Sequence, residues 1–337
     1  MVTNVCIFGL GHRGKKYLSV LKPVENELGI RIGSILTSKG NSSAIRMAKN
    51  DGIEVRTDIS EALNDKGLDG VIICTPNRFH AEQTLSFALA GKHVLCEKPL
   101  CYSSREAREI AQVSHRGGVS VQVGMNCRFR GDNRALRARI AEIGRVSHFI
   151  GWYYYDLRRL ITSEEKPWIE EEPCKEFFLY SGGIHLVDLS TWFFGNPDWV
   201  FASATDNILG GKLGNDFYSI ELGYSDNNMR GHLFMCKSAS GGNRFFFDVF
   251  GTKGSIVQSK MVILEKKEGV SEEEIAFSQD RPDLYYEVAD WIDSITKRRL
   301  PENNVNNAIA VISILESMER SVNTQLVVPV NYGKGDA

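Results

Sequence analysis

A short apolar run from Thr3 to Phe8 opens directly into Gly9-Leu10-Gly11-His12-Arg13-Gly14, and a helical pattern follows. A strand that turns through three glycines at this spacing into a helix has few ways to fold. The glycines permit a tight turn and a close approach of backbone to a phosphate. The helix start offers free N–H groups and its positive end. The stretch predicts a parallel α/β unit in which Gly9, Gly11, His12, Arg13 and Gly14 bind a dinucleotide, with a plain glycine turn as the alternative. Pro23 is expected to end or kink the helix.

The second strand, Arg31 to Leu36, runs into Thr37-Ser38-Lys39-Gly40-Asn41-Ser42-Ser43. An NAD site usually places an acid here, to accept from the ribose 2′-hydroxyl. This chain offers hydroxyls, a lysine and an amide. A 2′-phosphate wants donors, so Thr37, Ser38 and Lys39 predict NADP in preference to NAD. The same residues also suit a polar turn and N-cap for a helix around Ala44–Lys49. Strands continue at Glu54–Arg56 and Gly70–Cys74, followed by Thr75-Pro76-Asn77-Arg78-Phe79-His80 and a helix Ala81–Ala90 closed by Gly91. Then come a strand His93–Cys96, a helix Ser104–His115 and a strand Val119–Val123. Strand and helix alternate throughout, the doubly wound parallel pattern.

Within that pattern Val94-Leu95-Cys96-Glu97-Lys98-Pro99-Leu100 reads as a buried strand stopped by proline. Lys98 is thereby placed at the C-terminal mouth, where open α/β sheets bind ligands. Burial and neighbouring positive charge there can move a lysine toward neutrality, so that it trades protons near neutral pH. A strand cap with a solvated lysine is the plainer alternative.

The pattern changes after Val123. An amphipathic helix Asn133–Ile143 precedes strand candidates at Val146–Asp156, Trp199–Thr205, Phe217–Tyr224, Met229–Lys237, Phe245–Gly251, Ser255–Gln258 and Met261–Lys266. Phe217–Tyr224 alternates, and Asp226-Asn227-Asn228 reads as a turn. A meander and an antiparallel sheet are predicted, one face on helices and the other aromatic-rich. Helices Asp283–Lys297 and Asn304–Asn323 follow, the last expected to return to the first domain. At 337 residues and roughly 150 per domain, two domains are expected, 1–123 and 124–337. Ser163–Glu176 is an acidic insert around Trp168.

Net charge is -2 and the pI about 6.4, which gives no field for nucleic acid or anionic membrane. The cluster Arg128, Arg130, Arg134, Arg137 and Arg139 reads as a solvated or acid-paired face. Seven cysteines without a CxxC suggest neither disulfides nor a zinc site, and no metal is expected. No signal-like start and no apolar run near the roughly 18 residues of a membrane span fit a cytoplasmic protein.

Ser181-Gly182-Gly183-Ile184-His185-Leu186-Val187-Asp188 is read as opening a helix to Phe194. His185, Asp188 and Trp192 share one face of it. In the first turn, the positive helix end would keep His185 neutral. A satisfied core histidine is the alternative.

GLGHRG, CTPNRFH, CEKPL and GGIHLVD, in that order over nearly the whole chain, resemble the glucose–fructose oxidoreductase/inositol dehydrogenase/rhizopine catabolism (Gfo/Idh/MocA) family. The resemblance implies a Rossmann domain followed by an α/β domain on an open, largely antiparallel sheet. It implies an NAD(P)-dependent oxidoreductase for a secondary alcohol or ketone of a sugar or polyol, with catalytic roles for Lys98 and His185 at one hydroxyl. It also implies that Thr75, Pro76, Asn77 and His80 line the cofactor path, that Glu97 and Lys98 reach the nicotinamide side, and that Asn126 and Arg128 touch cofactor or substrate. Ser181, Asp188, Trp168 and Tyr285 or Tyr286 are candidate substrate or shelter residues. Many relatives carry Asp or Asn where Ser181 stands, which leaves the formal base open. Dimers or tetramers through the second sheet are expected. Two alternatives are an NAD-dependent glycosidase working by transient sugar oxidation and a non-catalytic NADP-sensing regulator.

Overall fold

The computed structural model describes residues 2–157, 176–209, 214–239, 242–265 and 269–333. The first half runs β1 (Thr3–Phe8), α1 (His12–Leu21), α2 (Glu25–Leu28), β2 (Ile30–Leu36), α3 (Ser42–Asn50), β3 (Glu54–Arg56), α4 (Ile59–Leu63), β4 (Gly70–Ile73), α5 (His80–Leu89), β5 (His93–Glu97), α6 (Ser104–Gly117) and β6 (Val121–Gly124). The remainder runs α7 (Gly131–Arg139), β7 (Val146–Tyr154), α8 (Ile184–Phe194), β8 (Trp199–Thr205), β9 (Phe217–Tyr224), β10 (Met229–Cys236), β11 (Arg244–Gly251), β12 (Gly254–Val257), β13 (Lys260–Glu265), β14 (Gly269–Glu274), α9 (Asp283–Lys297), α10 (Val305–Thr324) and β15 (Val328–Pro329). Two compact units result: Met1–Phe129 with Asp280–Ile309, and Arg130–Gln279 with Ala310–Ala337.

The first unit carries a six-stranded parallel sheet in the order β3-β2-β1-β4-β5-β6. This is the dinucleotide-binding order, and its switch point falls between β1 and β4. β4 is buried along its whole length because helices cover both sheet faces. α6 starts on a capping box, Ser103 with Glu106, and ends at Gly118 with φ 63°, both ordinary stop and start devices. α9 supplies Leu284, Val288 and Trp291 to the core of this unit. A Cβ on Gly70 would lie 3.0 Å from the Trp291 ring, so the glycine makes room for it.

The second unit carries nine strands in the order β14-β13-β12-β11-β7-β10-β9-β8-β15. It is mostly antiparallel, as expected, but not a simple meander. β7 lies between β11 and β10 and runs parallel to β10, pairing His148 with Arg230. Local alternation reveals a strand but not a partner this far along the chain. β14, Gly-Val-Ser-Glu-Glu-Glu, and the two-residue β15 add to the predicted strands. An acidic run reads as loop, yet charged residues suit an edge strand. The predicted helix Asn133–Ile143 is instead α7 followed by a 3-10 turn at Ile140–Ile143. Asp226–Asn228 does form the β9–β10 turn, with Asn228 at φ 52°.

Tight spots set this sheet's surface. A Cβ on Gly223 would fall 1.8 Å from the Trp199 ring, and one on Gly231 would fall 2.2 Å from Phe149. Phe149 stacks on Phe194 of α8 at 3.9 Å between ring centroids. Trp152 and Phe234 stack at 4.8 Å, with Phe246 and Tyr154 beside Trp152. Among the described residues no helix is long and apolar enough to cross a membrane.

Candidate active site

Five turns after strands of the first sheet carry most of the expected site residues. The turn after β1 is shaped by two of its three glycines. Gly9 has φ +90°, and a Cβ on it would meet the Cys74 carbonyl at 2.8 Å. A Cβ on Gly14 would fall 2.0 Å from the Gly9 oxygen. Gly11 differs, because nothing lies within 4 Å of the Cβ it lacks. Its bareness serves no protein contact. α1 begins after Gly11 without a side-chain cap and with no acid in its first turn. An open glycine ahead of an uncapped ten-residue helix fits the phosphates of a dinucleotide.

Arg13 does not point to open solvent. Its Nε donates to Glu97 Oε1, and its guanidinium lies 5.4 Å from the Tyr17 ring centroid. The Tyr17 hydroxyl lies 3.0 Å from Glu97 Oε1 and 2.8 Å from Glu287 Oε2. Tyr17 and Glu287 are fully buried and Glu97 nearly so. One hydroxyl proton cannot serve two carboxylates, so one carboxyl must carry a proton of its own. Burial raises Glu287 well above the usual carboxylate range; Glu97 adds to the shift and Arg13 opposes it. Burial also works against charge on Arg13, and Glu97 beside it more than restores that charge. The order is therefore Glu287 protonated, Tyr17 between, and a Glu97–Arg13 ion pair at the mouth.

Tyr17 and Glu287 were not predicted from sequence. The usable signal for Glu287 is an acid on an apolar stripe, since Leu284, Val288 and Trp291 are its neighbours at helical spacing on α9.

At the end of β2, Thr37 is buried, whereas Ser38 and Lys39 are exposed. Asn41 caps α3, its Oδ1 accepting from the Ala44 amide at 3.2 Å, and its amide donates to the Thr37 hydroxyl at 3.3 Å. Thr37 and Asn41 thus build the turn and leave Ser38 and Lys39 outward. After β4, the Thr75 hydroxyl donates to Gln83 Oε1 at 2.6 Å, and Asn77 is buried. His80 is wholly buried, with Nδ1 2.7 Å from the Pro99 carbonyl and Nε2 2.8 Å from the Thr75 carbonyl. After β5, Lys98 is half-buried and Pro99 and Leu100 are buried.

After β6, Asn126 donates to Asp283, and Arg128 is buried with Nη1 3.3 Å from the Glu302 carbonyl. The Tyr285 hydroxyl donates to Glu27 Oε1 at 2.5 Å, and that of Tyr286 donates to Asp280. Both tyrosines thus hold acids of their own unit.

In the second unit His185 is the second residue of α8, but helical backbone already runs ahead of it. Helix begins at Phe177 and passes through a π segment, Leu179–Gly183, before α8. The expected opening at Ser181 therefore lies inside a helix that begins about one turn earlier, and the argument from a positive helix end does not reach His185. The two glycines act in packing instead. A Cβ on Gly182 would meet the Tyr153 ring at 2.9 Å, and one on Gly183 would meet Met235 Sδ at 2.6 Å. They let the helix lie on β7 and β10 and so set the height of Ser181 and His185. π segments recur at functional sites. Asp188 is buried, and Arg137 of α7 stacks over Trp192 at 4.2 Å. Arg130 pairs with Asp132 at 2.5 Å. Trp168 lies outside the described residues.

The sheet order and the glycine turn define a dinucleotide-dependent protein. Residues 3–125 match the family described as oxidoreductase family, NAD-binding Rossmann fold, and residues 133–257 match the GFO/IDH/MocA C-terminal domain. The chain belongs to the Gfo/Idh/MocA oxidoreductases, as its motifs suggested, and is an NAD(P)-dependent oxidoreductase. It is 26% identical over 327 residues to 4-carboxy-2-hydroxymuconate-6-semialdehyde dehydrogenase of Sphingobium sp., covering 96% of this chain and 99% of that protein. It is 30% identical over 200 residues to the scyllo-inositol 2-dehydrogenase (NADP(+)) IolW of Bacillus subtilis, covering 59% of this chain and 54% of that one. The fold is that of myo-inositol 2-dehydrogenase from Lactobacillus plantarum, with a TM-score of 0.80, 22% identity, and coverage of 98% and 100%.

Proposed function

We propose that this protein moves a hydride between NADP and a secondary alcohol or ketone of a sugar, polyol or sugar derivative. The observation that carries the reading is the first sheet's mouth, where an open glycine turn and Lys98 follow neighbouring parts of one parallel sheet. When bound, the nicotinamide supplies the hydride chemistry. The bare Gly11 and the uncapped start of α1 would hold the pyrophosphate. Ser38 and Lys39, outward and without a nearby acid on β2, support a 2′-phosphate in preference to a free hydroxyl. Thr75, Pro76 and Asn77 would border the path, and Glu97, fixed by Arg13 and Tyr17, would face the nicotinamide ribose. Lys98 is assigned proton transfer at the substrate hydroxyl, and His185 is retained as the second catalytic candidate. Ser181, which cannot act as a carboxylate, stands where many relatives carry Asp or Asn, and this favours Lys98 as the formal base.

A second reading, oxidation of a carboxylated semialdehyde, is supported by the activity for which the Sphingobium relative is named, whose match runs nearly end to end. A panel of inositols, aldoses, ketoses, anhydrosugars and acidic semialdehydes, monitored at the nicotinamide absorbance, separates the two. Lys98→Ala is expected to lower turnover by about 10²–10⁴-fold while cofactor still binds. Full activity in that variant would sink the assignment. NAD binding as tight as NADP, or indifference of NADP affinity to Lys39→Ala, would defeat the preference.

A further inference from the structure

His80 was expected to line the cofactor path, yet its ring is wholly buried and both nitrogens face backbone carbonyls. A carbonyl oxygen only accepts. A neutral imidazole has one N–H, so it could satisfy one carbonyl and would turn its lone pair on the other. With Pro99 O at 2.7 Å and Thr75 O at 2.8 Å, that arrangement sets two acceptors against each other in a dry site. Protonation of both nitrogens removes the conflict and makes both bonds charge-assisted. We propose that His80 is a buried imidazolium at neutral pH that pins the turn after β4 to the turn after β5, and is thereby a positioning residue for Lys98.

Several groups bear on this charge. His80 is the first residue of α5, whose positive end opposes it. Cys96 on β5 is the titratable side chain facing it. Burial works against the charged ring. Cys96 and the carbonyls of Pro99 and Thr75 outweigh burial, and the pKa is pushed up to about 9. The ring thus stays charged through neutral pH. Its reach is specific: Pro99 follows Lys98 directly, and Thr75 opens the Thr75-Pro76-Asn77 turn. Freeing either carbonyl would loosen the lysine's anchor relative to the cofactor's border. This role rests on Lys98 as the acid/base group, as proposed above; the charge itself does not.

Nitrogen NMR of the full-length protein with labelled histidine, free of cofactor, tests the charge directly. The His80 signals are assigned by their loss in His80→Gln or, should that variant not fold, by elimination, substituting the other histidines one at a time. Both nitrogens are expected to be protonated at pH 7.5 and to titrate near pH 9. One protonated and one bare nitrogen at pH 7.5 would overturn the proposal. Kinetics test the positioning role. His80→Gln, which keeps amide donors, is expected to lower kcat at saturating cofactor by about tenfold, and His80→Phe, which keeps none, by about a hundredfold. NADP Kd should stay within about threefold in both, since the ring is wholly buried and holds only the Pro99 and Thr75 carbonyls. An unchanged kcat in His80→Phe, or weakened NADP binding with kcat kept, would overturn it. Failure of the sugar assignment alone would leave the nitrogen spectrum intact.

Discussion

Glu287 enters the first unit's core as an acid among Leu284, Val288 and Trp291, and only a proton makes that place tolerable. Its raised pKa has a definite sign. Stability from the neutral form is complete below the ordinary carboxylate range and is lost as pH rises through the higher folded value. Glu287→Gln copies the protonated shape, so its stability at pH 8 should equal or exceed that of the parent. Tyr17→Phe takes the hydroxyl partner from Glu287, leaves Glu97 to Arg13 alone, and should cost about 1–3 kcal/mol. Urea unfolding distinguishes the two, and equal losses would mean that Glu287 is ionised. The glycines of the first turn make a second contrast. Gly14→Ala drives a Cβ to 2.0 Å from the Gly9 oxygen and should cost about 3 kcal/mol or more. Gly11→Ala meets nothing and should fold within about 0.5 kcal/mol of the parent while binding cofactor poorly. These glycines were legible because spacing alone fixes a turn. The partners of Arg13 were not, because Glu97 and Glu287 arrive from distant parts of the chain.

The segment that carries Ser181 and His185 owes its placement to acids as well as glycines. The Tyr180 hydroxyl donates to Glu319 on α10 at 3.3 Å. Glu176 accepts from Tyr218 and, at 3.0 Å, from the Asn215 amide. Burial first, and then Glu176 nearby, raise the Glu319 pKa to about 7. Stability from its neutral form is therefore present below the unfolded carboxylate value and disappears as pH rises through 7. The second unit should lose stability between about pH 5 and pH 8, and Glu319→Gln should flatten that slope. Melts at several pH values check it, and an unaltered slope would remove Glu319 from the account. The helix around His185 was legible from its apolar spacing. Its true start was not, because Gly182-Gly183 looks like a turn when read locally and becomes a close-packing device only against Tyr153 and Met235.

For the whole molecule, two units with separate sheets give a ligand an uneven effect. A dinucleotide held by the first sheet stabilises the unit that holds it. Free NADP at about 100 times its Kd should add about 2.7 kcal/mol to the opening of that unit. Hydrogen exchange should show the gain in β1, α1 and β5; a gain confined to β8–β11 would place the ligand elsewhere. Strand–helix alternation made the first sheet readable, since each parallel neighbour follows one helix later. The second sheet's order was hidden, because β7 pairs with β10 and β11 far beyond it in sequence. That arrangement has a consequence for synthesis. As the chain leaves the ribosome, the strand destined for the middle of nine appears first. It must wait, apolar and unzipped, until Arg230 and Phe250 have been made. Nascent chains halted before β10 should therefore engage chaperones through Phe149 and its neighbours, and those halted after β11 should release them.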